Sequence, residues 1–324
     1  MKISNIELGE TPLLLAPMED VTDASFRYIC KSFGADLLYT EFVSSDGLIR
    51  DVGKSLAKLI TYEYEKPIGI QIYGHIPEAM VEAAKMVEKA SPDLIDINFG
   101  CPVNKIAKRG AGSGMMREPD KLVEITRQVV KAVKLPVTVK TRLGWDENSK
   151  IIVELAEQLQ DVGIAALTIH GRTRCQMYKG EADWTLIGEV KKNPRMTIPI
   201  IGNGDISTPE EAKEAFDKYG VDAIMIGRAS FGHPWIFKEI KHYLKTGELL
   251  PPLSVEERVE LAKRHLAKSI EIKGEKVGIL EMRRHLSCYF KGLNNFKDTR
   301  LKLVTLTNPD ELYSILDFIK ETWK

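Results

Sequence analysis

A cysteine stands directly after a strand-like run in the stretch DINFGCPVNKIAKRGAGSG, residues 96–114. Asn98 and Gly100 precede Cys101, and the chain then enters a basic, glycine-rich loop. A structural cysteine normally lies within an apolar run, whereas Cys101 lies where the chain leaves the sheet and side chains meet solvent or ligand. Its position therefore indicates a thiol that takes part in chemistry.

Other residues that could do chemistry stand at the ends of eight short β-branched runs. Side chains at the carboxyl ends of the strands of a barrel meet at one mouth, so these residues form one candidate site. His170 and Gln71 could instead be core residues bonded to the backbone. In chain order the strand-end residues are Pro17 with Met18, Glu41, Gln71, Asn98 with Cys101, Lys140 with Arg142, His170, Asn203 with Asp205, and Gly227 with Arg228.

The last two runs carry the clearest ligand signal. The segments GNGDI and IGRA expose backbone N–H groups near Gly204 and Gly227, where barrels of this type bind phosphate. Either turn alone could be an ordinary tight turn, but both together, beside Arg228, favour a phosphate-bearing cofactor. Lys140 ends a run whose interior should be apolar, so its ammonium must reach the barrel mouth, where an anionic ligand would satisfy it.

The elements that must position these residues alternate between strands and helices. The eight runs are LLLAP, LLYTEFV, PIGIQIYG, LIDINFG, PVTVKTR, ALTIHGR, PIIGNGD and AIMIGRA. Helix-like segments lie between most of them, such as residues 118–134 and residues 207–220, the latter with Ser207 as its cap. This spacing predicts parallel strands with crossover helices. We predict a TIM (β/α)8 barrel in preference to an open doubly wound sheet.

The strand pattern stops before Pro251–Pro252, and the remaining segments are typical of helices only. One begins with the capping box Ser254–Glu257, and another begins with Asn308 as cap. We therefore predict two domains, a catalytic barrel over residues 1–248 and a small all-helical domain over residues 249–324.

Composition limits the class of protein. The chain has 324 residues, is 44% hydrophobic and 28% charged, and contains no apolar run near the roughly 20 residues needed to span a bilayer. Its N-terminus lacks the order of a signal peptide, so we expect a cytoplasmic protein. Four widely spaced cysteines without a CxxC pair predict free thiols and no metal site.

The 46 basic and 46 acidic residues balance, but residues 258–302 contain 12 Lys/Arg and 5 Asp/Glu. This local excess of positive charge predicts an anionic partner.

Seven segments, in this order, resemble the motifs of the tRNA-dihydrouridine synthases: APMEDVTD, QIYG, DINFGCPVNKIAKRGAGSG, VTVKTRLGW, IHGRTRCQMYKGEADW, PIIGNGDI and IGRA. The tail segment EMRRHLSCYFKGL resembles their bacterial B-type branch. The resemblance covers nearly the whole chain. It implies a barrel that binds FMN, takes electrons from NADPH and reduces selected uridines of tRNA to 5,6-dihydrouridine.

The resemblance also implies roles for individual residues. Cys101 would donate a proton to C5 of the uracil after hydride passes from flavin N5 to C6, and a thiol with a reference pKa of about 8.5 stays protonated near neutrality. A lysine beside the N1–C2 edge would stabilise the negative charge of a reduced flavin. The isoalloxazine would be held by Ala16, Pro17, Met18, Gln71, Lys140 and His170, and the ribityl phosphate by Asn203, Gly204, Asp205, Gly227 and Arg228.

Substrate contacts follow from the same resemblance. Asn98 would hydrogen-bond the uracil edge, and Arg142 is a second candidate contact. A uracil inside folded tRNA must be extruded to reach the barrel mouth, so the basic tail would hold the flanking phosphates. The candidate tail residues are Lys263, Arg264, Arg283 and Arg284, although such arginines could instead pair with acids to hold the tail on the barrel.

Two other classes of protein compete with this interpretation. A flavin barrel acting on a free pyrimidine, such as a dihydroorotate-like dehydrogenase, would share the phosphate turns but needs no basic tail. An RNA-binding protein that has lost catalysis would keep the tail, but it should have lost Cys101, Lys140 or the flavin turns. All of these are present.

Overall fold

The computed structural model describes residues 1–323, in which eight parallel strands form one barrel. The barrel strands are β1 (Leu13–Leu15), β2 (Leu38–Tyr39), β3 (Ile68–Tyr73), β4 (Leu94–Asn98), β5 (Val137–Arg142), β6 (Ala166–His170), β7 (Ile200–Asn203) and β8 (Ala223–Ile226). They are hydrogen-bonded in the order β1, β8, β7, β6, β5, β4, β3, β2, and a short ninth strand at Val43–Ser44 pairs with the end of β3. A bridge between Leu14 and Leu37 brings the two end strands together, and Leu15 N donates to Leu37 O over 3.0 Å. The predicted TIM barrel is confirmed.

Within residues 1–323, ten α-helices accompany the barrel and four more follow it. The barrel helices are α1 (Ala24–Ser32), α2 (Ser45–Ile49), α3 (Gly53–Ala57), α4 (Pro77–Lys89), α5 (Asn104–Ala107), α6 (Pro119–Ala132), α7 (Ile152–Asp161), α8 (Thr185–Lys192), α9 (Pro209–Tyr219) and α10 (Ile236–Thr246). The tail helices are α11 (Val255–Lys273), α12 (Glu275–Tyr289), α13 (Lys297–Thr305) and α14 (Pro309–Thr322). No helix within residues 1–323 is both long enough and apolar enough to cross a bilayer.

The helix caps follow the sequence with one correction. Ser254 and Asn308 cap α11 and α14 as predicted. The cap of α9 is Thr208 rather than Ser207, because the Thr208 side chain accepts the Glu211 N–H and Pro209 takes the first helical position. The Ser207 hydroxyl donates to the Glu211 carboxylate instead, at 2.8 Å.

Alternation along the strands separates an outer apolar core from the barrel interior, where inward side chains change from apolar, as at Leu94, to polar towards the carboxyl ends. In β4, Ile95 and Ile97 belong to the hydrophobic cluster that also contains helix residues, whereas Asp96 and Asn98 are buried polar residues. Consecutive strand residues point to opposite faces, so Asp96 and Asn98 point into the barrel. The strand register then places Gln71 of β3 beside Asp96.

The tail helices build a core of their own and dock on α1. Their hydrophobic cluster includes Ile29 of α1. Lys273 forms an ion pair with Asp23, the N-cap of α1, and His265 Nε2 lies 3.2 Å from Ser25 Oγ. The predicted domain boundary falls between α10 and α11, so the separate core supports a helical unit attached to the barrel through α1.

A buried ion pair ties α1 to the 3-10 turn Glu63–Glu65 that precedes β3. Arg27 Nε donates to Glu65 over 2.8 Å, with the two side chains 4% and 0% exposed. Arg27 Nη1 also donates to Thr22 O at 2.8 Å, and Glu65 accepts the Tyr62 N–H at 2.8 Å. Both charges are therefore compensated inside the protein.

We predict that Glu65→Ala lowers the free energy of unfolding by about 3–5 kcal/mol, because it leaves the Arg27 guanidinium buried without its partner. The matched control is Glu63→Ala, which removes an exposed pair with Lys66 and should leave stability nearly unchanged, because water screens both charges. Chemical denaturation of both variants measures the difference. Equal losses in the two variants would contradict a structural role for the buried pair.

Candidate active site

A cavity of about 890 Å³ opens at the carboxyl ends of the strands. Its volume lies within the range of cofactor and ligand sites. All the barrel residues predicted for the site line it except Glu41 and Gln71. These lining residues are Ala16, Pro17, Met18, Asn98, Cys101, Lys140, Arg142, His170, Asn203, Gly204, Asp205, Gly227 and Arg228.

Gln71 lies inside the barrel, in a chain of hydrogen bonds that ends at the cysteine. Its Nε2 donates to Asp96 Oδ2 at 2.6 Å, and its Oε1 accepts from Asn98 Nδ2 at 2.7 Å. Asn98 Oδ1 in turn accepts the backbone N–H of Cys101 at 2.8 Å and that of Gly100 at 2.9 Å. We call Asp96, Gln71 and Asn98 the buried network. It fixes the backbone that carries the Cys101 thiol.

Asp96 is the fully buried end of this network. Burial raises the pKa of its carboxyl to about 6, against the hydrogen bonds from Gln71 and Thr138 that favour the ionised form. The Thr138 hydroxyl donates to Asp96 Oδ1 at 2.6 Å. Sequence reasoning missed Asp96. Its only signal was an acidic residue at an inward position of the apolar run LIDIN.

The Cys101 thiol is held close to the cavity wall and stays protonated. Its residue is 7% exposed, and burial raises the pKa of the thiol. The Cys101 carbonyl accepts from the Ser113 hydroxyl at 2.7 Å. Gly112 has φ +55°, and a Cβ there would lie 3.0 Å from that carbonyl. The loop therefore needs glycine at this position to close against the cysteine.

Lys140 offers the cavity a cation without a carboxylate partner. Its Nζ donates to Asn203 Oδ1 at 2.9 Å, and within residues 1–323 no carboxylate oxygen lies within the 4.0 Å limit of an ion pair. Burial, and next the charge of Arg142, lowers the pKa of Lys140 to about 7. A negative charge bound beside Lys140 would restore its ammonium form.

The glycine turns after β7 and β8 are joined by a set of arginines. Asp205 accepts from Arg172 Nη1 and from Arg228 Nη2, each at 2.8 Å. Burial acts to raise the Asp205 pKa, but hydrogen bonds from Arg172 and Ala182 hold it below its ordinary value. Arg228 keeps 55% of its side chain exposed. Because Arg172 neutralises the carboxylate, Arg228 can also bind an external anion.

Arg172 was missed by sequence reasoning, although it stands two residues after His170 in the motif IHGRTR. Its side chain is 2% exposed, and it also donates to the carbonyls of Lys179 and Gly180. The position of an arginine two residues beyond a strand does not indicate whether its side chain is buried. The missing information was its partner Asp205, 33 positions away.

Arg142 and His170 line the cavity in different states. Arg142 donates to Gly100 O at 2.7 Å, Thr173 O at 3.0 Å and Met177 O at 2.9 Å. It therefore ties the loop after β4 to the loop after β6, a role that its predicted contact with substrate did not include. Burial, and then nearby cations led by Arg142, lowers the pKa of His170 well below its usual value. The His170 imidazole is neutral at physiological pH.

The sequence of this chain is similar to a known protein family. A family model described as dihydrouridine synthase (Dus) matches residues 14–322. The chain belongs to the dihydrouridine synthase family. This confirms the resemblance on which the site residues were assigned.

Curated relatives cover almost the whole chain. A probable tRNA-dihydrouridine synthase of Rickettsia conorii is 41% identical over 310 residues, which are 95% of this chain and 93% of that protein. The tRNA-dihydrouridine synthase B of Shewanella oneidensis is 40% identical over 319 residues, or 98% of each chain. That of Proteus vulgaris is 43% identical over 291 residues, 90% of this chain and 89% of the relative. The similarity to the B-type branch is confirmed.

Two solved structures share the fold at low sequence identity. The histamine dehydrogenase of Rhizobium sp. 4-9 gives a TM-score of 0.55 at 11% identity, over 98% of this chain and 64% of that one. A 2-naphthoyl-CoA reductase in complex with 2-naphthoyl-CoA gives 0.57 at 14% identity, over 75% and 51%. The chain thus spans less than two thirds of either structure, and the likeness supports the barrel fold.

Two of the tail residues predicted to bind RNA have partners within the tail of this dihydrouridine synthase family member. Lys263 forms an ion pair with Asp317. Arg283 Nη2 donates to Thr305 O at 3.0 Å, at the end of α13. These contacts hold tail helices together, which sequence spacing could not reveal because the partners are 54 and 22 positions away.

The other two candidates join the tail to the barrel. Arg264 Nη2 donates to Ser32 Oγ at 2.9 Å. Arg284 Nη1 donates to Asp20 O and lies 3.6 Å from the Asp20 carboxylate. The geometry therefore favours the alternative in which these arginines hold the tail on the barrel, and their contact with RNA stays a prediction.

We predict that Cys101 is alkylated by iodoacetamide at least about tenfold more slowly than Cys175 at pH 7.5. Cys175 is exposed, whereas burial both shields the Cys101 thiol and lowers its thiolate fraction through the raised pKa. Peptide mass spectrometry over time measures both rates in one sample. If Cys101 reacted as fast as Cys175, the protonated state of the thiol would be contradicted.

Proposed function

We propose that this chain reduces selected uridines of tRNA to 5,6-dihydrouridine, with FMN bound at the barrel mouth and NADPH as the electron donor. The observation that carries the proposal is a protonated, buried thiol at Cys101 and an unpaired cation at Lys140 on the walls of one cavity. An acid and an anion-stabilising group are the two side-chain functions that this reduction needs. Family membership and the tRNA-directed names of the relatives support the same reaction.

The residues present fit FMN. Lys140 can stabilise negative charge on the isoalloxazine. The turns at Gly204 and Gly227 leave backbone N–H groups for the phosphate, and Arg228 adds a charge-assisted donor. Gly204 has φ +131°, and a Cβ there would lie 2.6 Å from Ala182 Cβ, so only glycine suits this turn. When bound, FMN supplies hydride for C6 of the uracil.

Cys101 supplies the proton that completes the reduction at C5. Its raised pKa keeps the thiol in the acid form at neutral pH, and the buried network fixes its backbone through Asn98. Because the donor is already oriented, little entropy is lost on reaching the transition state. His170, which is neutral, and Arg142 line the same cavity without adding a competing acid.

The tail offers a second set of cations for the tRNA backbone. Lys291, Lys297, Arg300 and Lys302 are exposed, and in the part of the chain that the structure describes none forms an ion pair within 4.0 Å. They lie on α13 and on the turn before it. Unpaired lysine and arginine at a surface can neutralise phosphates at low desolvation cost. We assign the tail's hold on phosphates to this surface rather than to Arg283 and Arg284.

We predict that the affinity for FMN falls as pH rises from 7 to 9, by up to tenfold per unit. The Lys140 pKa is about 7, so the ammonium that would donate to the N1–C2 edge of the isoalloxazine is lost above this pH, while the phosphate, with a second pKa of about 6, keeps nearly the same charge over this range. Titration of the apoprotein with FMN at each pH measures the slope.

Two variants separate the contributions to this slope. Lys140→Met should bind FMN more weakly, with no slope between pH 7 and 9. Arg228→Ala should lose about 1.5–3 kcal/mol of binding free energy but keep the slope, because only its phosphate contact is removed. An unchanged slope in Lys140→Met would show that another group titrates.

We predict that Cys101→Ala binds FMN and oxidises NADPH normally but slows the single-turnover reduction of tRNA uridine by about 10²–10⁴-fold, the usual effect of a lost general acid. The function itself is tested by mapping dihydrouridine in tRNAs from cells with and without the gene for this protein. Identical maps would refute the proposed function. Activity on free uridine equal to that on tRNA would instead support the enzyme class that acts on free pyrimidines.

A further inference from the structure

A second cavity of about 310 Å³ lies beside the first. Glu19, Phe42 and Val103 line both cavities, so the two share a wall. Val103 is two residues after Cys101, and 48% of it is exposed. A ligand that extends past the thiol therefore passes directly into the second cavity.

The walls of this cavity are suited to a nucleobase. The Phe42 and Tyr73 rings lie 5.4 Å apart between centroids and at 83° to each other, and both side chains are partly exposed. Partly exposed aromatic rings in a concave site give a π face on which any base can stack. None of the roles assigned to the first cavity uses Tyr73.

The rim of the cavity carries cations that the protein leaves unpaired. Lys105 and Arg109, on and just after α5, are exposed, and across residues 1–323 neither forms an ion pair within 4.0 Å. Of the lining carboxylates, Glu19 is paired with Lys58 at 2.6 Å, which leaves Asp46. Lys105 and Arg109 therefore outnumber Asp46, the one lining carboxylate without an ion pair in residues 1–323. The net positive charge of the rim attracts phosphate.

We propose that the second cavity holds the nucleotide next to the target uridine of the RNA, with its base against Phe42 and Tyr73 and its phosphate on Lys105 and Arg109. This proposal rests on the proposed function, since the target uridine must occupy the first cavity. A neighbouring nucleotide is joined to the target by one phosphodiester, so it must lie within one nucleotide's reach of Cys101. The shared wall at Phe42 and Val103 provides this continuity. The site thus reads the RNA sequence or shape beside the modified base.

The nicotinamide coenzyme is the competing occupant, because it also carries a base and phosphates. The two occupants affect different steps. Loss of an RNA subsite weakens tRNA binding, whereas loss of a coenzyme subsite slows the reduction of bound flavin by NADPH. The adjacent Lys108 provides a matched control, because it is an exposed lysine of the same loop that lines neither cavity.

The test uses the full-length, FMN-loaded protein and an unmodified transcript of a tRNA that the wild-type protein modifies. Dissociation constants are measured over a series of salt concentrations for wild type, Lys105→Ala, Lys108→Ala and Tyr73→Leu. Flavin reduction by NADPH is followed by stopped flow in the same variants. Melting temperatures establish that each variant is folded, and Lys105→Ala is expected to fold because its side chain is at the surface.

We expect Lys105→Ala to flatten the log–log salt dependence by about 0.7 units relative to Lys108→Ala, the change for one lost contact to a single-stranded phosphate. Tyr73→Leu should weaken tRNA binding about tenfold through lost stacking, and flavin reduction should stay unchanged in all variants. Equal salt slopes for Lys105→Ala and Lys108→Ala would overturn the subsite while leaving the proposed function standing. Slower flavin reduction with unchanged tRNA binding would assign the cavity to the coenzyme. A wild-type protein that forms no dihydrouridine would overturn both the proposed function and the subsite.

Discussion

The Asp96 carboxyl group, buried inside the barrel, determines how the polar side chains that lead to Cys101 are arranged. Asp96 cannot be buried at this position without donors, so Gln71 and Thr138 must bond it. Once Gln71 is committed to Asp96, its other end orients Asn98, and Asn98 in turn holds the Cys101 backbone. Each bond removes a rotational freedom from the next group. The thiol is therefore placed by the interior of the barrel, although it belongs to a loop.

The charges at the mouth of the barrel explain why an anionic cofactor would bind there. Lys140, Arg142, Arg172 and Arg228 bring four cations to this end, while Asp205 is the carboxylate that meets two of them. The Arg142 guanidinium already donates to backbone carbonyls, and that of Arg172 donates largely to Asp205. Lys140 and the exposed part of Arg228 remain available, and these are the positions where a flavin ring and its phosphate would each need positive charge.

The sequence predicted the fold and most of the cavity because both depend on short-range periodicity. Eight β-branched runs determine eight strands, and residues at the strand ends meet at one mouth through the geometry of a barrel. The roles of buried polar residues could not be predicted in this way. The inward position of Asp96 was visible from alternation, but its partner Gln71 is 25 positions away. Arg172 was missed, and the internal partners of the four tail candidates were not foreseen, for the same reason: a basic residue in a sequence does not reveal whether a distant acid or carbonyl already binds it.

We propose that Asn98 acts on tRNA reduction by positioning Cys101, and a double-mutant cycle tests this role most directly. Single-turnover rates of tRNA reduction are measured for wild type, Asn98→Ala, Cys101→Ala and the double variant, with FMN content checked in each. If Asn98 works through the thiol, Asn98→Ala slows the wild-type reaction but leaves the Cys101→Ala rate almost unchanged, because the group it positions is already gone. If the two losses multiplied instead, Asn98 would act on the uracil by itself, and the account of a network that places the thiol would be contradicted.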